Sequence, residues 1–532
     1  MAIVTGGKHF GQYTYEHWYD DEYESVYDAE PHSNSGGFMK IVLKNFRLVD
    51  EEKDAVGSLV IENGVISEVL YAEHPREDHA AMIIDGKKFP QQYRRDDFMA
   101  PGSLPLLMPA FVDLHAHFRD PVLYESRPGS PADLTLSRGA APLVEAPLPS
   151  ETVLPSEVTE SAAMAAAAGG FGTVVCMANT KPVTDTFERA GAVKSRSDTL
   201  GLIDLYPVLS LSKGMEGKEL SEISAAAPND TGAAHAGGYI PLMLSEDGKD
   251  LADDSLFLAA MKEAKRLGLP VSCHCDFGGV EHEAIARVIA LGKEAGCHIH
   301  IAHVSTKETI DVIRRAKAAL SRESSGSSFT LSCEVMPHNL CLTEEDAVKL
   351  GKGSYGRVNP PLRTEEDRQA LIQALTDGTI DAIATDHAPH SAAQKEAGAP
   401  GFSGFETAFA AVFTELVQSG NISLKRLSAL MSANPARLLG LGGGAQQNPG
   451  QLRQPGQPGQ SPQPRQTGQT GQKRGLLSPG YRADLAIIDV DASWIVYPAA
   501  FKSRGKNSPF TGRELCGRIL LTIHNGRIVY SV

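Results

Sequence analysis

The sequence predicts an α/β protein: a (β/α)8 barrel of the TIM type, with a small β-sandwich domain built from both chain ends. Three observations carry this expectation. Residues 107–440 alternate short apolar runs with helical stretches, the pattern of a parallel sheet covered by helices. Metal-binding side chains stand where those runs stop, as at the C-terminal face of a barrel. Strand-like runs then recur near both ends of the chain, too few at either end for an independent sheet.

The elements follow in order. Residues 1–37 are rich in Tyr, Asp, Glu, Gly and Ser without a sustained apolar period, and are expected to be a partly disordered extension. Residues 38–106 form the first part of the small β-domain. They hold Ile41-Val42-Leu43 and a hairpin whose arms flank Asn63-Gly64, a strong turn signal. Residues 107–440 form the barrel, with strand ends expected near His115, Ala178, Ser210, Ser245, His274, His303, His338 and Asp386. Helices are predicted over Asp254–Leu267, Gly279–Ala295, Lys307–Leu320 and Thr364–Leu375. Residues 441–475 are Gly/Gln/Pro-rich and read as a flexible insertion. Residues 476–532 complete the small domain.

Composition narrows the class without choosing it. The chain has 532 residues and a formal net charge of -15, which argues against a nucleic-acid surface. No run approaches the ~18 apolar residues of a membrane span, and no basic segment followed by an apolar one opens the chain. Seven scattered cysteines lack the spacing of a disulfide framework and suit a reducing, cytoplasmic location. In Cys273-His274-Cys275 the thiols read as small core residues on a strand. No Gly-rich dinucleotide or phosphate loop follows the first barrel strand.

The chemistry lies in two clusters about 270 residues apart, Asp113-Leu114-His115-Ala116-His117 and Asp386-His387-Ala388-Pro389-His390. Two residues apart on a strand, His115 and His117 face one way. Asp247, His274, His303 and Asp386 follow other strands, so four imidazoles and two carboxylates gather at one face. That set suits zinc, and six ligands exceed what one catalytic ion with an open position takes. Two ions sharing a bridging carboxylate and a hydroxide account for the number. His298, His300 and His235 read as structural.

Longer stretches carry a resemblance. Pro109-Ala110-Phe111 through Phe118-Arg119-Asp120-Pro121, Met177-Ala178-Asn179-Thr180-Lys181-Pro182, Asn359-Pro360-Pro361-Leu362-Arg363, Ala384-Thr385 through His390, Gly404-Phe405-Glu406-Thr407 and Lys506-Asn507-Ser508-Pro509-Phe510 resemble the dihydroorotases of the amidohydrolase superfamily. The resemblance covers about Met39 to Val532. It implies zinc-dependent, reversible hydrolysis of the cyclic amide of (S)-dihydroorotate to N-carbamoyl-L-aspartate, a step of de novo pyrimidine biosynthesis. Strand four carries no lysine for carboxylation, and Ser245-Glu246-Asp247-Gly248 resembles the bridging-aspartate motif, so Asp247 is the expected bridge between two zinc ions.

The same resemblance assigns Arg119, Asn179 and His390 to the substrate carboxylate, Asn359 to the ring and the Pro400-Gly401 backbone to the ring edge. Asp386 is expected to be both metal ligand and catalytic acid/base. A guanidinium suits the carboxylate, which hydantoinase-like relatives do not need to bind. Two other readings stay open. One is a hydantoinase- or allantoinase-like cyclic amidohydrolase. The other is a catalytically silent partner of aspartate transcarbamoylase. The expected partners are a small-molecule substrate, a second copy in a homodimer and aspartate transcarbamoylase, with no nucleic acid and no membrane.

This sequence also departs from the family pattern. Ala178 replaces a proline, Asn339 a histidine, and Asp276-Phe277 an acidic pair. The segment from Pro121 to Gly169 is longer than usual, and the loop Ala399–Gly404 is a residue short.

Overall fold

The runs on either side of Asn63-Gly64 pair as the sequence predicts. Strands β1 (Lys40–Val49), β2 (Asp54–Glu62) and β3 (Val65–Tyr71) form an antiparallel meander. Asn63 and Gly64 turn with φ of 58° and 77°, the left-handed pair whose twist matches the strands it joins. The computed structural model describes residues 40–71, 81–89, 103–119, 156–225, 239–275, 280–322, 328–442 and 473–532, all within one compact unit, Lys40–Val532. The extension over 1–37, most of the long segment after Pro121, Asp276-Phe277, His235 and residues 443–472 lie outside the described residues.

Two strands not predicted from sequence, β4 (Met82–Asp85) and β5 (Leu106–Pro109), pair in parallel with the other edge of β1. Ala110 alone separates β5 from the first barrel strand. The barrel strands are β6 (Phe111–Ala116), β7 (Phe171–Cys176), β8 (Asp204–Pro207), β9 (Leu244–Ser245), β10 (Val271–Cys273), β11 (His298–Ile301), β12 (Thr330–Val335) and β13 (Ala382–Ile383). β6, β7 and β8 pair in parallel, as do β9 through β13. Parallel bridges Leu209–Leu244 and Ala116–His387 join the two arcs, and the sheet closes. β6 and β7 are buried throughout, as strands covered on both faces must be.

Helices Asp254–Leu267 and Lys307–Leu320 form where predicted, and the other two run Glu281–Ala295 and Glu365–Asp377. The cause is local. Asp253, Thr306 and Thr364 accept first-turn N–H groups, and Gly268, Gly296 and Gly378 turn left-handed at the far ends. These are the usual start and stop devices of a helix. No helix among the described residues is long and apolar enough to cross a membrane.

The chain's end returns to the first sheet. β14 (Leu485–Ile495), β15 (Glu514–His524) and β16 (Arg527–Ser531) continue it, in the order β16-β15-β14-β5-β1-β2-β3 with β4 beside β1. Both chain ends thus build one eight-stranded sheet, whose own core includes Ile41, Phe46, Leu59, Leu485, Ile487 and Leu521. A buried ion-pair network ties that sheet to the barrel. Asp204 of β8 contacts both Arg474 and Arg482, and Arg482 Nε lies 3.1 Å from Asp484 just before β14. Arg474, inside the segment read as flexible, is therefore a fixed and buried residue.

Candidate metal centre

Each of the six predicted ligands lies at or just past the end of a barrel strand. His115 is the fifth residue of β6 and His117 follows it. Asp247 comes after β9, His274 after β10, His303 after β11 and Asp386 after β13. Neighbouring residues aim them. Glu246 accepts the Leu211 and Ser212 N–H groups that follow the neighbouring strand β8, and the Asp247 N–H donates to Ser245 Oγ. Gly248 at φ 81° then lets the chain turn where a Cβ would come 3.1 Å from Asn179 Nδ2. This is why Ser-Glu-Asp-Gly delivers an aspartate inward. Lys249 points elsewhere, donating to the Met215 carbonyl at 2.8 Å.

The six side chains converge. His117 Nε2 lies 3.0 Å from Asp386 Oδ1 and 3.5 Å from Asp247 Oδ2. Asp247 Oδ1 lies 3.3 Å from His115 Nε2, 3.3 Å from His274 Nδ1 and 3.6 Å from His303 Nε2. The groups His115–His117–Asp386 and His115–Asp247–His303 each place their ligand atoms within 4.8 Å of one another. All six residues are buried. Three site residues, Arg119, His303 and Asp386, hold left-handed backbones with φ of 60°, 34° and 45°. Each such residue typically costs about 1–3 kcal/mol. Strain of this kind persists where the surroundings enforce one aim.

The electrostatics favour a cation. Burial alone would raise the Asp247 carboxyl, but His115, His274 and His303 hold it well below the carboxylate range. Burial would likewise lower His115, yet Asp247, Glu334 and Asp386 drive it well above its ordinary value. Asp386 is also held far down, its burial outweighed by the His117 hydrogen bond and by the charges of His115, His117 and His303. His303 Nε2 and His274 Nδ1 stand 2.7 Å apart, within hydrogen-bond distance of each other. His115 Nε2 is buried without a hydrogen-bond partner. A nitrogen/oxygen donor set of this kind fits a divalent metal.

The substrate-binding residues predicted from sequence divide into four groups. Arg119 and His390 meet, with Nη2 3.3 Å from Nε2. His390 Nε2 lies 2.7 Å from the Pro400 carbonyl, so its proton belongs there and its Nδ1 stays an unused acceptor. Burial, aided by Arg119, pushes His390 down to about 4, leaving it neutral. Among the described residues, Arg119 Nε and His390 Nδ1 are buried without partners. A buried guanidinium lacking an acceptor is a place for an anion. Asn179 is already engaged: Oδ1 accepts from His117 Nδ1 at 2.9 Å, and Nδ2 lies 3.4 Å from Asp247 Oδ2. Asn359 is exposed, and among the described residues no contact joins it to the cluster. Pro400 and Gly401 form one wall, with the Gly401 carbonyl held by Asn507 Nδ2 at 2.8 Å.

Sequence reasoning missed Glu334. This buried carboxylate of β12 accepts from His115 Nδ1 at 3.0 Å and lies 3.0 Å from His300 Nε2. Histidine neighbours bring it down to about 2 against the effect of its burial. It therefore fixes which nitrogen His115 offers inward. An acid within the strand run Thr330–Val335 was the available signal. His298 and His300, read as structural, share Ser332 Oγ at 2.8 Å. His387 stacks on Phe405 at 4.1 Å and faces Glu157, anchoring the loop that carries Asp386.

Comparison with known proteins places these residues in context. The sequence pattern of the amidohydrolase family matches residues 106–445. The dihydroorotase of Clostridium botulinum (strain Eklund 17B / Type B) is 33% identical over 501 residues, covering 93% of this chain and all 100% of its own. The dihydroorotase of Geobacillus sp. (strain WCH70) is 32% identical over 524 residues, covering 93% of this chain and 99% of its own. Among solved structures, the L-hydantoinase (dihydropyrimidinase) of Arthrobacter aurescens matches with a TM-score of 0.67 at 23% identity, over 93% of this chain and 96% of its own. The dihydropyrimidinase of Brevibacillus agri NCHU1002 matches at 0.65 and 19%, over 93% and 95%. At such identities the structural likeness speaks for the fold.

Proposed function

This chain belongs to the amidohydrolase family, and from that premise we infer how its residues serve a dihydroorotase. It is a metal-dependent cyclic amidohydrolase that interconverts (S)-dihydroorotate and N-carbamoyl-L-aspartate. The observation that carries the substrate reading is the pairing of a metal-binding cluster with the Arg119–His390 corner. Dihydroorotate carries both an amide for the first and a carboxylate for the second.

Two zinc ions are proposed, with Asp247 between them. The support is the division of its carboxylate, one oxygen toward His115, His274 and His303 and the other toward His117. Bound there, the ions would supply a nucleophilic water at neutral pH and polarise the ring carbonyl. The remaining steps belong to the chain. Asp386, ionised beside His117, takes the proton of the attacking water as the C–O bond forms. It returns that proton to the ring nitrogen as the C–N bond breaks. Arg119 and His390 hold the carboxylate, Asn179 lies alongside, and Asn359 with the Pro400-Gly401 backbone bounds the ring. Glu334 and Asn179 keep His115 and His117 aimed inward.

The test is a parallel assay of dihydroorotate, dihydrouracil, hydantoin and allantoin on purified, zinc-loaded protein, with metal content measured. Dihydroorotate should turn over fastest, and a chelator should abolish turnover. If dihydrouracil or allantoin is fastest, the carboxylate argument fails.

A further inference from the structure

Lys395 is a lysine with no exposed surface, nine residues past Asp386 and outside the chemistry described above. Its helix, Ala392–Glu396, starts at the Ser391/Gln394 capping box and turns the side chain inward beneath the Pro400 loop. The ammonium donates to the carbonyls of Arg357 at 2.9 Å, Ala399 at 2.9 Å and Gly401 at 3.0 Å. Its three protons meet three acceptors from two separate connections, and it also sits 5.2 Å from the centre of the Phe402 ring.

The two connections matter. One runs through Arg357 to Asn359, and the other carries Pro400, whose carbonyl takes the His390 proton. The Gly401 N–H also donates to the Arg357 carbonyl at 3.0 Å, so Lys395 completes a joint already begun by the backbone. Without the ammonium, the Ala399 carbonyl would lose its donor, and the Arg357 and Gly401 carbonyls would keep only the Gly401 N–H and Asn507 Nδ2. Buried acceptors left so are costly, and the loop would move outward to water.

We propose that Lys395 is a positioning residue, an internal cation that clamps the Pro400 loop to the Arg357–Asn359 connection and so sets the wall against which the substrate ring and His390 rest. The inference deepens the dihydroorotase reading and rests on it for the identity of the ring. Titration offers a check on the clamp. Burial, helped by Arg357, brings the ammonium down to about 8. The charged or titratable groups facing it are Arg357 and His390, and His390 is already neutral above about 4. As pH rises through about 8, the amine keeps two protons for three carbonyls, and the clamp loosens.

The experiment compares the unmodified protein with Lys395→Met. The variant should raise KM for dihydroorotate by about tenfold or more, the effect of one lost charge-assisted contact. It should leave kcat within about threefold and metal content unchanged, because no ligand is touched. In the unmodified protein KM should climb between pH 7 and 9, and in the variant it should be high and flat. Hydrogen exchange of the peptide spanning 391–404 should quicken in the variant, since the Ala399 and Gly401 amides are bonded in the clamped loop. Unchanged KM with unchanged exchange would overturn the proposal. So would a KM flat to pH 9 in the unmodified protein, a result that stands even if the variant does not fold. If the unmodified protein ignores dihydroorotate, the substrate reading falls, and the exchange comparison alone judges Lys395.

Discussion

At the scale of single residues, the two side chains that separate binding from chemistry make predictions of different size. Among the described residues, Arg119→Ala removes the only cation in the corner it shares with His390, and a lost charge-assisted contact in a buried site costs about 2–5 kcal/mol. Turnover of dihydroorotate should fall at least about tenfold with metal content unchanged, since Arg119 bonds none of the six ligands. Asp386→Asn keeps an oxygen for the His117 hydrogen bond but cannot take a proton. Its kcat should drop by about 10²–10⁴-fold, the usual worth of a general acid/base, with the fold kept in thermal unfolding. Near-normal kcat in that variant would end the assignment. These residues were legible because His-x-His and Asp-His-Ala-Pro-His stand at strand ends, where side-chain direction follows from parity. The engagement of Asn179 with His117 and Asp247 was not, for it depends on a contact 62 and 68 positions away.

At the scale of elements, β12 shows what a strand hides from sequence reading. Its run Thr330-Leu331-Ser332-Cys333-Glu334-Val335 announces a strand, and the structure forms one. What it does not announce is that Glu334 and Ser332 share the inward face and brace His115, His298 and His300 from below. That bracing spans 219 positions between Glu334 and His115. A strand's period gives the face of a residue, but its neighbour across the sheet comes from barrel order. Replacing Glu334 with Gln preserves the shape and removes the charge that holds the His115 proton. Metal affinity should weaken by about 10–100-fold, the usual effect of losing such an outer partner, and zinc titration against a chelating indicator would read it. Binding as tight as in the unmodified protein would show that geometry alone aims His115. The helices were the most legible elements because their ends carry local signals, Asp253 and Gly268 being one such pair. Strands β4 and β5, four residues each, were not, since so short a run has no period to read.

At the scale of the whole molecule, both termini finish one sheet, and the barrel between them is closed by bridges at Leu209–Leu244 and Ala116–His387. The sequence suggested the joint domain from strand-like runs at each end, though the order that sets β14 beside β5 came only from the fold. One consequence concerns the Gly/Gln/Pro-rich segment. Its flanks are pinned together, with Gly442 bridged to Arg474 and the Arg474 N–H donating to the Leu441 carbonyl at 2.9 Å. Arg474 is locked further by Asp204, Asp484 and Thr173. The described chain leaves at Gly442 and returns at Lys473, beside one another. Replacing residues 443–472 with a linker of about four residues shortens the closed loop by roughly three halvings, each worth about 0.6 kcal/mol of closure entropy. The shortened protein should be as stable as the original or more so, by up to about 2 kcal/mol. Its kcat/KM for dihydroorotate should stay within about twofold, because none of the six ligands, nor Arg119 or His390, contacts the pinned flanks. A cut that also removes Arg474 should behave differently, leaving the Asp204 carboxylate in a buried network short of one cation. Thermal unfolding of the two deletions side by side reads the difference, and equal loss of stability in both would show that the segment itself, not its anchor, supports the fold.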